Sequence, residues 1–355
     1  MAKPFVSVLI DTYNHEKFIE QAIASVLEQN FPAPDCEILV VDDGSSDRTP
    51  ELIKKFAPRV TYLPKQNGGQ ASAFNFGIQH CRGEVVAFLD GDDWWEPNKL
   101  ATVLAEFEAD PETGAVGHGL YEVDESGKRL FLNIPDRRYS CRLRDMEEAR
   151  HFVELRSFLG TSRLAIRRAV LERILPVPED LLVEADEFLA TIAVALAGCV
   201  VLERPLTSYR FHSGNQFQYT TSDDRRHKRK AISLGCLAKD LPPRLHAAGT
   251  PSEIVEFLTV PNWIEASRLR LALGEGWPWE TVRVERAAFL HAYKNASIGY
   301  HLFQAAVLAV ASVTPPRLFY RARAWYSKRQ LARLRGVIGT AVPADSLVVR
   351  KAQVR

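Results

Sequence analysis

The sequence predicts an α/β protein, a mainly parallel sheet flanked by helices, with a C-terminal helical extension. Three observations lead there. Short apolar runs alternate with amphipathic stretches through residues 1–110. Those runs are continuous, as in "VVAFL" at 85–89, the pattern of strands buried on both faces. From about residue 220 to 295 strand-length β-branched runs disappear and the composition becomes helical.

The elements follow in order. "FVSVLI" reads as a first strand, and "HEKFIEQAIASVLEQ" places Phe18, Ile19, Ala22, Ile23, Val26 and Leu27 at helical spacing. "EILVV" is a second strand. The next helix has Thr49 as its expected N-cap and Pro50 at its first position. "VTYL" precedes the Gly-rich "NGGQ" and a helix with Ala71, Phe74 and Ile78 on its apolar side. "EVVAFL" and "NKLATVLAEFEAD" complete the set. "GAVGHGLYEVDESGKRL" reads as strand, turn, strand. "TSRLAIRRAVLERIL" and "EADEFLATIAVALAG" read as helices, and "VVLERPLTSYRFH" as a returning strand.

Composition narrows the class without naming a partner. Lys plus Arg (45) balances Asp plus Glu (44), so net charge calls for neither nucleic acid nor an acidic surface. The five cysteines lie far apart with no Cys-x-x-Cys pair, which suits a reduced, cytosolic protein. The N-terminus enters a strand-like run without a long apolar signal region, so no secretion is indicated.

Open parallel sheets bind ligands beyond the carboxyl ends of their strands. Here those ends read Asp11-Thr12-Tyr13-Asn14, Asp42-Asp43-Gly44-Ser45 and Asp90-Gly91-Asp92-Asp93. A pocket with several carboxylates, one aromatic and little basic charge is expected. Carboxylates this close repel unless a cation or hydrogen-bond donors hold them. Asp90 and Asp92 are two apart, so in an extended segment both address one side. Mg²⁺ or Mn²⁺ carrying a diphosphate is the partner such a pair suits.

At these residues the chain resembles glycosyltransferase family 2, the inverting nucleotide-sugar transferases of GT-A fold, from about Val6 to Asn215. The resemblance lies in "VSVLIDTYNHEKFIEQAIASVLEQ", "EILVVDDGSSDRT", "NGGQASAFNFGI", "VVAFLDGDDWWEPNKL", and the later "EADEFL" and "SYRFHSGN". Each match is weak alone, and their order makes them specific. Two positions depart: Asp11 stands where the family usually has proline, and Phe74 where it often has arginine.

The resemblance implies roles. Thr12 and Tyr13 meet the nucleotide, with Tyr13 stacking near the base. Asp43, helped by Asp42, accepts a hydrogen bond from a base ring N–H, which fits uracil. Gly68, Gly69 and Gln70 bring backbone close to the nucleotide. Asp90 holds ribose and Asp92 the metal, with Asp93 behind it or against sugar. His212 either ligates the metal or donates to the diphosphate. Inversion needs one base opposite the leaving diphosphate. The resemblance selects Asp186, at a helix start where the dipole favours a carboxylate. Glu184 and Glu187 are neighbours able to substitute, and Glu184 with Trp94 is a sugar contact. Packing under the acidic loop is the alternative for one of Trp94 and Trp95.

The implied activity is transfer from a nucleotide diphosphate sugar, a UDP-sugar first, to a saccharide or lipid-linked hydroxyl in cell-surface polysaccharide or glycolipid synthesis. A catalytically silent carbohydrate-binding scaffold is disfavoured by the intact Asp92 and Asp186. A sugar-phosphate nucleotidyltransferase wants a basic Gly-rich loop where "DTYNHEKF" stands, and a dinucleotide oxidoreductase wants a Gly-x-Gly-x-x-Gly that is missing. The expected organisation is a catalytic domain over 1–218, a helical extension over 219–295, apolar then basic helices over 296–336, and a tail over 337–355. In the third segment an apolar run interrupted by His301 and Gln304 precedes seven basic residues and no acidic ones. It is too short to span a bilayer. Attachment to the inner face of the plasma membrane and packing on the catalytic domain both remain open.

Overall fold

The computed structural model describes residues 5–32, 35–212, 224–293 and 297–325, and the backbone of 348–352. The chain divides into two compact units, residues 1–217 with 243–255 and 347–355, and residues 218–242 with 256–346.

The first unit opens as the alternation of apolar and amphipathic runs requires. β1 (Val6–Thr12), α1 (Ile19–Leu27), β2 (Cys36–Asp42), α2 (Thr49–Lys54), β3 (Thr61–Pro64), α3 (Gln70–His80) and β4 (Val85–Asp90) follow one another. The strands lie in the order β4, β1, β2, β3, all parallel. Asp11 pairs in register with Asp90 and Thr12 with Asp42, so the acidic strand ends line one edge. Val6, Val8 and Ile10 pack towards α1, which buries Ile19, Ala22, Ile23 and Val26. Across the sheet α3 lies close enough that a Cβ on Gly77 would stand 2.4 Å from Leu9 Cδ1 and 2.8 Å from Val41 Cγ2. Only glycine permits that approach.

The second half of the sheet is mixed. β5 (Trp94–Trp95) and α4 (Lys99–Ala109) lead to β6 (Ala115–Val123), β7 (Arg129–Pro135) and β8 (Tyr139–Cys141), then to α5 (Met146–Leu155). β6 and β7 form the expected antiparallel pair. The helix expected over 161–175 resolves into a 3₁₀ turn at Thr161–Arg163, β9 (Ala165–Arg167) and α6 (Arg168–Ile174). Leu164, Ala165 and Ile166 are all fully buried. A one-sided helix cannot bury three consecutive residues, whereas a strand set antiparallel between β4 and β6 does. α7 (Ala185–Ala197) then leads to β10 (Cys199–Arg210), parallel to β6 and bulged around Pro205. Beyond the bulge its end pairs with β5, which carries Arg210 back over the acidic edge. α2 also starts differently from expectation. Thr49 is its first residue, Asp47 Oδ1 accepts the Thr49 N–H at 3.0 Å, and Thr49 Oγ1 accepts the His15 N–H.

α8 (Asp224–Ala247), α9 (Ser252–Ala272), α10 (Pro278–Tyr293), α11 (Ile298–Val313) and a helical stretch over 316–325 follow. β11 (Val348–Ala352), in the expected tail, lies parallel to β7. Within the second unit Ile264, Leu271, Val284, Ala311, Phe319 and Tyr320 form the core. Glu285 is its polar centre. It accepts from Arg268 Nε at 2.9 Å and Nη2 at 3.0 Å, from Tyr320 Oη at 3.0 Å, and from Arg323. Burial alone would raise the Glu285 carboxyl, but the bonds and charges of Arg268 and Arg323 hold it below its ordinary 4.5. A carboxylate lowered on folding contributes stability above its unfolded pKa and loses it as pH falls through the folded value. Glu285→Gln should therefore cost about 3 kcal/mol near neutral pH, with the difference from the parent shrinking in acid. Thermal unfolding at several pH values checks this.

Candidate active site

The end of β4 gathers carboxylates. Oxygens of Asp90, Asp92 and Asp93 all lie within 4.8 Å of one another. Gly91 makes the turn possible, because a Cβ there would stand 2.6 Å from Thr12 Oγ1. Asp11, the departure from the family pattern, joins from β1. Burial, then the charge of Asp92, raises the Asp11 carboxyl well above the ordinary range. Burial and then Asp11 and Asp92 do the same to Asp90. Burial and Asp92 push Asp93 up to about 8. Asp92 goes the other way. Its burial is outweighed by His15 and His212, which hold it below the carboxylate range. His212 Nε2 lies 2.9 Å from Asp92 Oδ2, and His15 Nε2 3.8 Å.

Two oxygens in this edge, Asp11 Oδ1 and Asp93 Oδ2, are buried with no hydrogen-bond partner among the described residues. Unpartnered carboxyl oxygens crowded beside an ionised carboxylate are what a divalent oxygen-seeking cation fits, because its charge would favour their ionised forms. His212 sits against Asp92 and is not part of the three-carboxylate group. Of the two places expected for Asp93, burial favours the one behind Asp92. Asp93 is 1% exposed, and its Oδ1 accepts the Arg210 N–H at 2.8 Å.

On the same edge α7 presents Asp186 in its first turn. Asp186 Oδ2 accepts the Thr161 N–H at 3.0 Å and faces Thr161 Oγ1 at 3.2 Å, and Oδ1 accepts the Glu187 N–H. Its charge contributes to raising both Asp11 and Asp90. Glu184, half-buried just before α7, holds a left-handed φ of 64°, a conformation a glutamate adopts only under constraint. Glu187 is paired with Arg156 at 3.0 Å.

Tyr13, expected to meet a nucleotide, is 41% exposed. Asp43 Oδ1 accepts from Gly68 N–H at 2.9 Å and Lys65 Nζ at 2.5 Å, and Oδ2 from Gly69 N–H at 2.7 Å. Gly69 has φ +84° and opens α3. Asp42, expected to help Asp43, is also committed to the turn. It is buried, and its oxygens take the Ser45 N–H at 2.8 Å and the Tyr62 hydroxyl at 2.9 Å, so it builds the turn. Gln70 spans Thr161 Oγ1 and the Ala185 N–H through its side chain, and Thr12 Oγ1 faces His15. Phe74 is a core residue against Phe88.

Trp95 is the buried tryptophan, bonded to the Ser162 carbonyl, and Trp94 is half-buried with Arg210 over its ring at 4.6 Å. Arg210 also donates to the Asp92 and Glu125 carbonyls. The site roles of His15, Thr161, Ser162 and Arg210 went unassigned in the sequence. His15 was within reach of such a reading, three residues after a strand end. Thr161 and Ser162 were hidden by an apparently helical pattern.

The model of glycosyl transferase family 2 matches residues 7–175. An uncharacterized glycosyltransferase of Nostoc sp. is 34% identical over 227 residues, 61% of this chain and 68% of that protein. The chain belongs to glycosyl transferase family 2. Bacillus subtilis EpsJ, another uncharacterized glycosyltransferase, is 33% identical over 175 residues, 48% of this chain and 50% of EpsJ. Among solved structures, Staphylococcus aureus TarS 1–349 in complex with UDP-GlcNAc superposes with a TM-score of 0.55 at 19% identity, covering 90% of this chain and 91% of that one. The mannosyltransferase PcManGT from Pyrobaculum calidifontis, in complex with GDP-Man and Mn²⁺, gives 0.50 at 23% identity, covering 94% and 88%. At those identities the likeness is one of fold. This family 2 enzyme is a glycosyltransferase of GT-A type with additional C-terminal helices.

Proposed function

We propose that the protein transfers a sugar from a nucleoside diphosphate donor, a UDP-sugar, to a hydroxyl acceptor with inversion, using Mg²⁺ or Mn²⁺. The observation behind this is the placement of Asp186 at the start of α7, close enough to act on the carboxylates that end β4. Acid on one side and a base on the other is what a single in-line displacement needs. Asp92 and His212 would hold the cation, which when bound supplies positive charge to the leaving diphosphate. Asp90 holds ribose and Tyr13 stacks on the base. Asp43 Oδ2 has taken one N–H and keeps capacity for a base N–H. Gly69 and Gln70 form the turn over the nucleotide. Asp186 takes the acceptor proton, and Glu184 and Trp94 line the sugar side. TarS with UDP-GlcNAc and PcManGT with GDP-Man support a nucleotide sugar as the donor class.

Two measurements test this reading. Calorimetry with UDP should show binding that strengthens with Mn²⁺ and is lost to chelator, and Asp92→Ala should remove the difference. Equal affinity with and without metal would sink the assignment. Asp186→Asn keeps shape and removes basicity, so donor binding should survive while turnover falls about 100-fold or more. Near-normal turnover in that variant, with loss in Glu184→Gln, moves the base to Glu184.

The C-terminal helices motivate a second element of the proposal, attachment to an anionic membrane surface where a lipid-linked acceptor is presented. α11 carries no Asp, Glu, Lys or Arg, yet Ile298 is 82% and Val313 80% exposed, and Leu302, Phe303 and Val310 are exposed with them. Among the described residues no helix is long and apolar enough to cross a membrane. The 316–325 stretch adds exposed Arg317, Arg321, Arg323, Leu318 and Trp325. Phe319 packs inside the unit. The rest of the expected basic helix, 326–336, lies outside the described residues. Each basic residue near an anionic leaflet contributes about 1 kcal/mol, and the apolar share is insensitive to salt. The protein should co-sediment with anionic vesicles, less at high salt, and Leu302→Glu/Phe303→Glu should abolish recovery. Equal recovery of parent and variant in the supernatant refutes the attachment.

A further inference from the structure

The turn Thr161–Arg163 contacts both Asp186 and Asp90. Thr161 is 3% exposed and its hydroxyl lies between two partners: it accepts from Gln70 Nε2 at 3.1 Å and donates to Asp186 Oδ2 at 3.2 Å. Its N–H reaches the same Asp186 oxygen at 3.0 Å. Gln70 in turn accepts the Ala185 N–H at 3.2 Å, so the first turn of α7 is bound from two directions. The next residue, Ser162, faces the other carboxylates. Its hydroxyl accepts the Asp90 N–H at 3.1 Å and donates to Asp90 Oδ2 at 3.3 Å.

Behind the turn, three donors meet on one oxygen. The Ser162 carbonyl accepts from Trp95 Nε1 at 3.0 Å, Lys99 Nζ at 2.8 Å and Thr207 Oγ1 at 2.7 Å. A carbonyl has two lone pairs, so this one is saturated and the turn is fixed from β5, α4 and β10 together. Lys99 is fully buried and lies 3.7 Å from the Trp95 ring centroid. Burying an ammonium this deeply is costly, and here its described hydrogen bond goes to that carbonyl.

We propose that this turn is a positioning device for transfer, in which Thr161 sets the orientation of the Asp186 carboxylate and Ser162 ties it to the donor-holding strand end at Asp90. The inference rests on the reading of Asp186 as base. The chemistry favours such a link, because a base on α7 and a donor held at the end of β4 must keep a common frame to within a fraction of an ångström. Two adjacent residues on one rigid turn provide that frame. Thr161 and Ser162 act through Asp186 and Asp90, as positioning residues.

The test is the division of effects between turnover and donor binding. Thr161→Val keeps the branched shape and removes the hydroxyl. It should lower kcat between about tenfold and 100-fold with the UDP affinity unchanged. Thr161→Ser, which restores the hydroxyl, should recover most of the loss. Ser162→Ala should instead weaken UDP binding in the presence of Mn²⁺. If Thr161→Val lowers the thermal midpoint too far for assay, Thr161→Ala against Thr161→Ser gives the same comparison. Normal kcat in Thr161→Val beside an inactive Asp186→Asn overturns this inference alone. So does a parallel fall of kcat and UDP affinity that Thr161→Ser fails to rescue. An active Asp186→Asn overturns the reading beneath it.

Discussion

Repulsion among Asp11, Asp90, Asp92 and Asp93 is the constraint around which the catalytic unit is arranged. The four carboxylates stand at the ends of two strands paired in register, where burial and mutual charge drive three of them towards their protonated forms. Left to itself such an edge would open to water. The fold prevents that with fixed donors: His15 and His212 on Asp92, the Arg210 backbone on Asp93, and Ser162 on Asp90. These groups come from the turn after β1, the end of β10 and the turn at 161–163, so distant parts of the chain meet at this edge.

This arrangement explains the long return of β10. A strand running straight along β6 would leave its end away from β4. The irregular register around Pro205 turns it so that Thr207 and Ser208 pair with β5. Arg210 and His212 then cover the acidic edge, with Arg210 over both the Phe18 and Trp94 rings. On the opposite side, the buried turn at 161–163 links the ends of β4 and α7. Carboxylates on separate elements are thus held by fixed hydrogen-bond partners, and side-chain entropy is small at the points where chemistry is expected.

Local signals carried much of this into the sequence. Continuous apolar runs identified β1, β2 and β4, because a strand buried on both faces has no polar side to show. Parallel alternation then put Asp42, Asp90 and Thr12 on one edge. Asp186 was singled out through the family resemblance, because a carboxylate in the first turn of an apolar helix is by itself more often a cap. The 161–175 segment was misread because its basic and apolar residues fall at helical spacing, while burial of Leu164, Ala165 and Ile166 is set by neighbours from β4 and β6. Asp42 and Asp43 show the same limit at single-residue scale. They are adjacent and chemically identical, yet Tyr62 and the Ser45 N–H claim one, and Gly68 and Gly69 the other.

By itself the sequence determined the element types of residues 1–110, the parallel core and the presence of acidic strand ends, since periodicity and turn chemistry depend on residues a few positions apart. Only the tertiary structure decided which carboxylate is ionised, which is orphaned and which merely builds a turn. Those outcomes depend on burial and on donors far away in the chain, such as His212 on Asp92 and Thr161 on Asp186. A hydrogen bond between residues more than 100 positions apart, as between His212 and Asp92, leaves no periodic trace in a single sequence.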